Sequence, residues 1–345
     1  MFPVHTAMTT CTTQFFDALT NKDHDKILEL TSNGLLKMKK KFNYRKKNGP
    51  HEADEMSALL LTIKYCYRKD IIEKMIASGA NVNATGYEYL YPNLSRKRLV
   101  TPLYLAVNRS CNKELLKCLI SAGADLNKFS GQITENEEEG GSMVMDSQSA
   151  SLNFALHSQY YDAEVIDILL ENGADLNIKN DSSLLPLQIA TLYNYSDAVL
   201  SLVRYGASTS PSSYSEYSPL ALLLDSAELL SPDDELSSEG RAEKRFNLLR
   251  CVQILLNGGY DVLCDTEMQD LCQKSKCGEE MDDILLEVAK IITAWVYQPK
   301  DLKVLCRLKI RHNLQVVQTA CNPKILNKLP LPKALINYLN LSDFD

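Results

Sequence analysis

The feature that most constrains this chain of 345 residues is a pair of short motifs that recurs at a fixed separation. One motif starts with a small polar residue and continues with apolar residues, as Thr-Pro-Leu-Tyr-Leu-Ala does at residues 101–106. The other motif, Gly-Ala-Asp-Leu-Asn, starts 22 positions after the first, at Gly123. Related glycine motifs start at Gly79, Gly173 and Gly206, each 21 or 22 positions after a motif of the first kind. A separation held this constant predicts one structural unit used several times.

The chemistry of this unit predicts a pair of helices closed by a glycine turn. Thr101 can cap the first helix with its hydroxyl, and Pro102 fits the first helical turn, where its missing N–H costs nothing. Apolar residues then recur at helical spacing within residues 103–106 and again within residues 115–120. Gly123 stands where a helix end favours a left-handed residue. Because one such pair cannot bury its apolar stripe alone, we expect the units to stack.

The unit resembles the ankyrin repeat, whose Thr-Pro-Leu-His-Leu-Ala signature matches residues 101–106 except for Tyr104 in the place of the histidine. The resemblance extends from about residue 13 to residue 261, with copies that begin at positions 13, 57, 101, 151, 185 and 218. It implies an all-α fold, a solenoid of about six ankyrin repeats.

Long insertions separate the early copies. The copies start 44, 44, 50, 34 and 33 residues apart, whereas a bare ankyrin unit is about 33 residues long. The first three intervals therefore predict inserted finger loops between a glycine turn and the next helix. Insertions on one side of such an array commonly serve recognition, but solvated and partly disordered loops fit the same composition. The sequence leaves both interpretations open.

The second insertion has the composition of a protein-binding hot spot, where aromatic residues and arginine supply most of the affinity. Its candidate target-binding residues are Tyr87, Tyr89, Tyr91, Arg96 and Arg98. The alternative is that the tyrosines pack on their own repeat, as long loops often pack their own side chains. The first insertion is basic across residues 37–47, a pattern that also fits a nuclear import signal, and the third is acidic across residues 135–139.

The 47 residues from Pro299 to the end of the chain break the repeat pattern and differ from it in charge. They carry eight basic and three acidic side chains, a net charge of +5, whereas residues 1–298 carry −12. Such a shift marks a separate module. Asp301 can cap a helix on which Leu302, Cys306 and Ile310 form an apolar stripe at i, i+4 and i+8. A stripe of this kind also fits a helix that docks on the last repeat.

This C-terminal segment resembles a SOCS box, because it contains both elements of that module in order. The first element is a leucine, then a cysteine four residues later and an aliphatic residue four residues after that. The second is Leu-Pro-apolar-Pro followed by spaced apolar and aromatic positions. The resemblance implies that elongin C, with elongin B, binds to Leu302, Leu305, Cys306 and Ile310. It also implies that cullin-5, with its RING subunit, binds to Leu329, Pro330, Leu331, Pro332, Leu335 and Tyr338.

Composition argues against several other classes of protein. The formal net charge of −7 does not suit nucleic acid as the main partner, because neutralising phosphates needs a basic surface. No stretch approaches 18 uninterrupted apolar residues, so we expect no membrane span, and the first residues do not have the pattern of a secretory signal. Ten cysteines in a chain of this length suit a reducing compartment. We therefore expect a cytoplasmic location, with the nucleus as a second location.

The sequence also carries no motif for catalysis. It has no phosphate-binding or dinucleotide-binding glycine motif and no closely spaced set of zinc ligands, so we predict no catalytic residue, metal site or cofactor. Cys306 and His312 do not suggest a nucleophile and its base, because six residues along a helix place them on opposite faces.

These observations predict four segments and one function. The segments are an N-terminal tail (1–12), ankyrin repeats (13–262), a C-terminal helical cap (263–298) and a SOCS box (299–345). By resemblance, the chain is a non-catalytic substrate-recognition adaptor of an elongin B/C–cullin-5 RING ubiquitin ligase, and its repeats hold an unidentified target protein. The alternative is a plain ankyrin scaffold that sequesters or anchors a protein partner without ubiquitin transfer.

Overall fold

The structure, a computed structural model, describes residues 14–32, 41–44, 54–66, 68–89, 96–110, 112–136, 142–145, 149–157, 161–210, 217–228, 238–278, 281–298, 300–316 and 322–344. The predicted N-terminal tail, most of the basic run at residues 37–47 and Tyr91 lie outside these residues.

The described chain is mostly helical and divides into two compact units. The first unit contains α1 (14–21), α2 (His24–Ser32), α3 (Ala58–Tyr65), α4 (Lys69–Ala77), α5 (Pro102–Ser110), α6 (Lys113–Ser121), α7 (Ser151–His157) and α8 (Ala163–Glu171). The second contains α9 (Pro186–Leu192), α10 (Ser196–Arg204), α11 (Pro219–Glu228), α12 (Ser238–Gly258), α13 (Thr266–Cys277), α14 (Asp283–Tyr297), α15 (Leu302–Val316), α16 (Pro323–Leu326) and α17 (Lys333–Leu339). The predicted fold class, helical ankyrin repeats followed by a small helical SOCS box, is confirmed. Among the described residues, no helix is both long and apolar enough to cross a bilayer.

The repeat helices begin and end where their capping residues predict. The Thr101 hydroxyl accepts a hydrogen bond from the Tyr104 N–H at 3.2 Å, at the start of α5. At the end of α6 the Gly123 φ is +87°, a left-handed conformation that glycine adopts without the steric cost a side chain would add. Tyr104, at the position of the signature histidine, is buried, and its hydroxyl accepts a hydrogen bond from Asn108.

A ladder of asparagine side chains joins successive glycine turns in the first unit. The Asn83 carbonyl oxygen accepts from the Asp125 N–H at 2.7 Å, and its amide donates to the Gly123 carbonyl at 2.9 Å. Asn127 repeats the first of these contacts with the Asp175 N–H at 3.0 Å. The last residue of the Gly-Ala-Asp-Leu-Asn motif therefore fixes the register between neighbouring repeats.

The three early insertions contain β-strands, which the sequence did not predict. Each insertion contributes a hairpin, and the three hairpins pair side by side in one antiparallel sheet of strand order β1-β2-β3-β4-β5-β6. The strands are β1 (Lys41–Tyr44), β2 (Asp54–Ser57), β3 (Gly86–Tyr89), β4 (Arg96–Val100), β5 (Gly131–Asn136) and β6 (Ser142–Met145). We call this the finger sheet.

A buried ion pair joins the finger sheet to the helices behind it. The Lys64 ammonium of α3 lies 2.8 Å from the Glu88 carboxylate of β3, and both side chains are more than nine-tenths buried. Arg98 stands directly opposite Glu88 on β4, and its guanidinium is 3.9 Å from the second carboxylate oxygen. Because separating a buried charge from its partner is costly, this cluster holds the second hairpin against its repeat.

The second unit places two ankyrin helix pairs, two cap helices and the C-terminal box in one contact network. Helices α9 and α10 pack on α11 and α12, and α12 in turn contacts both α14 and α15. The Tyr260 hydroxyl joins the sixth repeat to the cap, because it bonds to both Ser218 and the Asp265 carboxylate that caps α13. The box therefore lies against folded repeats rather than at the end of a free linker.

Candidate protein-binding site

Helix α15 begins at Leu302, directly after the predicted cap at Asp301, and presents an apolar face to solvent. Leu302 is 76% exposed and Leu305 is 48% exposed. The Cys306 thiol is exposed on the same helix. Apolar side chains of this size are normally buried, so three of them on one turn-and-a-half of helix indicate a surface that a partner covers.

The opposite side of α15 is buried within the protein. Arg307 is 4% exposed and Arg311 is 1% exposed. Ile310 and Leu314 are partly buried against a small core cluster. The structure therefore divides the predicted elongin-binding residues: three are exposed, while Ile310 also contributes to the interior of the box.

The predicted cullin-binding residues form a second exposed set after α16. Leu329, Leu331 and Leu335 are each 36–37% exposed. Pro330 and Pro332 are exposed as well, and α17 starts at the residue after Pro332. The fixed φ of the two prolines keeps this segment out of a helix, so that its leucines remain available at the surface.

Tyr338 differs from the other predicted cullin-binding residues because it is only 7% exposed. Its ring lies under two cations, with the Arg307 guanidinium carbon 4.0 Å and the Lys303 ammonium 4.3 Å from the ring centroid. Burial raises the pKa of the Tyr338 hydroxyl, although Arg307 lowers it in part. Tyr338 thus packs α17 against α15 and leaves little of its own surface for a partner.

An open groove of about 330 Å³ connects the two predicted sets. Cys306 and Ile310 line it from α15, and Pro332, Leu335 and Tyr338 line it from the α17 side. Residues that the sequence assigned to two different partners therefore lie on the walls of one groove. Leu305 faces another open groove, of about 570 Å³, which it shares with Trp295 of the cap and Leu263.

Only two of the predicted target-binding residues, Tyr87 and Arg98, have side chains that the structure describes. Tyr87 is half-buried, with the Lys97 ammonium 5.2 Å from its ring centroid. Arg98 is also half-buried, beside Glu88 and 6.0 Å from the Tyr104 ring. Tyr89 and Arg96 belong to the ends of β3 and β4, and Tyr91 lies outside the described residues.

Sequence reasoning missed the residues that hold the box in place. Arg204 and Arg250 belong to repeat helices, yet their guanidinium groups donate to backbone carbonyls of the box. Nothing local distinguishes them, because Arg204 stands in the last turn of α10, where a basic residue is ordinary, and Arg250 lies within α12 like many other surface arginines. The sequence likewise gave no sign of the ion pair between Lys64 and Glu88.

Comparisons with known proteins identify the same two parts of the chain, the repeats and the C-terminal box. A family model for the SOCS box matches residues 298–340, and one for the ankyrin repeat matches residues 99–130. A protein of Fowlpox virus (strain NVSL) named as an ankyrin repeat protein, FPV031, is 28% identical over 158 residues. That alignment covers 46% of this chain and 39% of the viral protein, so the chain spans well under two thirds of that relative.

The chain thus contains an ankyrin repeat and a SOCS box, the two domains that characterise the ankyrin repeat and SOCS box family. At the level of that family, the combination is found in non-catalytic substrate receptors of ubiquitin ligases. In that family the SOCS box binds elongin B/C and joins a cullin complex, and the ankyrin repeats bind a protein target.

Proposed function

We propose that this protein is the substrate-recognition adaptor of an elongin B/C–cullin-5 RING ubiquitin ligase. The observation that carries the proposal is the exposed face of Leu302, Leu305 and Cys306 on a helix whose other side is already buried. Fully burying one leucine contributes about 1.5–3 kcal/mol, so a partner that covers this face gains a large part of its affinity from it.

The groove between α15 and α17 supports simultaneous binding of two partners. Cys306 lines one wall, where elongin C is proposed to bind, and Leu335 lines the other, where cullin-5 is proposed to bind. A partner on one wall therefore completes the surface that the other partner contacts. This arrangement favours an ordered assembly of elongin, box and cullin over independent binding at distant sites.

The proposed mechanism is proximity rather than chemistry on this chain. The repeats hold a target while the box holds the ligase, which raises the effective concentration of target lysines near the charged conjugating enzyme. Among the described residues, no group of three or more histidine, cysteine or acidic side chains is placed to hold a metal ion. The residues of this chain would act by binding and orienting the target and ligase partners.

We propose that the finger sheet is the surface that binds the target protein. The sheet spans three early repeats, and its second hairpin is anchored by the Lys64–Glu88 pair. An anchored hairpin loses little conformational freedom on binding, which favours affinity. Replacing Tyr87, Tyr89 and Tyr91 with serine should reduce capture of the target in proximity labelling, with elongin capture and melting temperature unchanged. A lower melting temperature with the same labelled proteins would instead assign the tyrosines to packing.

Co-purification of the full chain separates the adaptor from the plain scaffold. We expect elongin B, elongin C and cullin-5 to be recovered in stoichiometric amounts with the full chain. The matched control is Ile325→Ser, which alters an exposed apolar residue of α16 outside both predicted sets and should leave the complex intact. Recovery of a specific protein partner without the elongins or cullin-5 would favour the scaffold and reject the adaptor.

A further inference from the structure

Four arginines join the box to the last two repeats, and they reach across from both sides. From the repeats, the Arg204 guanidinium donates to the Asn340 and Leu341 carbonyls at 2.7 and 3.3 Å. Arg250 donates to the Phe344 carbonyl at 2.7 Å. The box contributes the other two arginines, Arg307 and Arg311.

Arg307 and Arg311 point from α15 back toward the repeats. Arg307 donates to the Asn257 amide oxygen at 2.8 Å. Arg311 donates to the Val203 carbonyl of α10 and, at 2.7 Å, to the Leu339 carbonyl of the box. Hydrogen bonds from a charged donor are about twice as strong as neutral ones, and burial of Arg307 and Arg311 shields theirs from water.

Three of the carbonyls that accept from Arg204 and Arg311 lie at the C-terminal end of α17 and in the turn after it. Leu339 is the last residue of this helix, and Asn340 and Leu341 follow it directly. The end of a helix has unpaired carbonyls and a partial negative charge, so cations stabilise it. Helix α17 has only seven residues, a length that is marginal in isolation. These hydrogen bonds therefore contribute a larger share of its stability than they would to a long helix.

The box has too little interior to be stable by itself. Its described core cluster consists of three buried residues, Leu326, Ile336 and Leu339, with Ile310 and Leu314 packed against it. A domain of about 45 residues rarely folds on such a core without a metal, a disulfide or a partner. The repeats supply the missing partner from within the same chain.

We propose that Arg204 and Arg250 are positioning residues for elongin binding: they hold the box folded on the repeats and so present Leu302, Leu305 and Cys306 in a preformed arrangement. This inference rests on the proposed function, because it assumes that elongin B/C binds that face. The hydrogen bonds described for Arg204 and Arg250 reach the box at residues 340, 341 and 344, which follow α17 and do not belong to the exposed face of α15. These arginines therefore raise elongin affinity indirectly, because they increase the fraction of molecules in which the box is docked on the repeats.

The expected size of the effect follows from that population. When a protein is competent to bind for only a fraction of the time, its apparent dissociation constant rises by the inverse of that fraction. If removing both side chains lowers the docked population to about one tenth, the apparent Kd for elongin B/C rises about tenfold.

The test measures elongin B/C affinity of the full chain by calorimetry and amide hydrogen exchange in α17. Arg204→Ala with Arg250→Ala should weaken affinity about tenfold and speed exchange of the α17 amides. The control is Arg245→Ala, which lies on the same helix as Arg250 but pairs with Glu287 of the cap instead of the box. It should change neither quantity. A melting curve of the repeats identifies any variant that has lost more than the docking contacts, and Arg204→Lys then gives a milder version of the same test.

A stabilising osmolyte separates positioning from direct contact. Trimethylamine N-oxide favours compact states, so it should restore elongin affinity to the double arginine variant but not to Leu302→Ser, which lacks a contact residue. Unchanged affinity of the double variant, unchanged exchange in α17, or failure of the osmolyte to restore binding would each overturn the positioning role. If the unaltered chain does not bind elongin B/C, the proposed function itself fails, and the arginine variants are not needed to show it.

Discussion

The repeats and the box use their leucines in opposite ways. In α3 of the second repeat, Leu59, Leu60 and Leu61 are all fully buried, so even consecutive positions of one helix find partners inside the protein. In α15 of the box, Leu302 and Leu305 are largely exposed, and the buried positions are taken by arginines. The repeats therefore bury their apolar residues by stacking, whereas the box leaves part of its apolar surface exposed. Changes in the two regions should therefore alter different measurements.

The largest effect is expected from Leu302→Ser with Cys306→Phe, made together. The first change removes an exposed apolar contact, and the second adds a bulky ring beside the groove between α15 and α17. Elongin B/C binding should fall below detection in a pull-down, while the melting temperature of the repeats stays the same. Retained elongin binding by this variant would remove the basis for assigning the face to elongin.

Lys64→Met in the repeats should lower the stability of the fold and leave elongin binding intact. It leaves the Glu88 carboxylate buried with Arg98 as a more distant partner, so the free energy of unfolding should fall by roughly 3 kcal/mol. The matched control is Lys69→Met, because Lys69 pairs with Glu73 and Glu114 at the surface, where such pairs contribute little. Denaturant unfolding measures both, and equal losses in the two variants would contradict the special role of the buried pair. Elongin binding should be unaffected in either variant.

Replacing residues 329–332 by four alanines tests whether the two predicted binding sets of the box are independent. The change removes two leucines that are each slightly more than one third exposed and the two prolines that keep them out of a helix. Cullin-5 binding to the preformed elongin complex should weaken about tenfold, as expected for partial loss of two apolar contacts. Elongin binding, measured separately, should persist. Loss of both partners would mean that the segment supports the fold of the box instead.

The smallest effect is expected at a repeat turn. Gly123 has a φ of +87° with open space where a side chain would point, so Gly123→Ala should cost about 1 kcal/mol through backbone strain alone. Gly123→Asn should cost less, because asparagine tolerates the left-handed conformation better. A larger loss for asparagine than for alanine in thermal unfolding would show that the cause is not the backbone conformation.

The parts of the fold that depend on local chemistry were predictable from the sequence. The Thr101 cap, the left-handed Gly123 and the start of α15 at Leu302 all follow from residues within a few positions of each other. The composition of the box motifs likewise identified the exposed residues Leu302 and Cys306. In each case the signal and the structure it specifies are close in the chain.

The parts that depend on distant contacts were not predictable in the same way. Arg204 and the Asn340 carbonyl are 136 positions apart, and nothing near either residue indicates the other. Each hairpin of the finger sheet forms within one insertion, but the pairing that joins the three hairpins is between insertions, so no single insertion indicates it. Tyr338 belongs to the predicted cullin-binding motif, but its ring is buried against Arg307 of a different helix, a contact that no local pattern indicates.

The finger sheet has a mechanical consequence for the repeats beneath it. The second and third hairpins are joined by four paired positions between β4 and β5, whereas the first and second are joined at Glu55 and Tyr87. Bending the unit at the first junction therefore disrupts less pairing than bending it at the second. The finger sheet therefore braces the repeats unequally, with the second and third hairpins sharing more backbone pairing than the first and second.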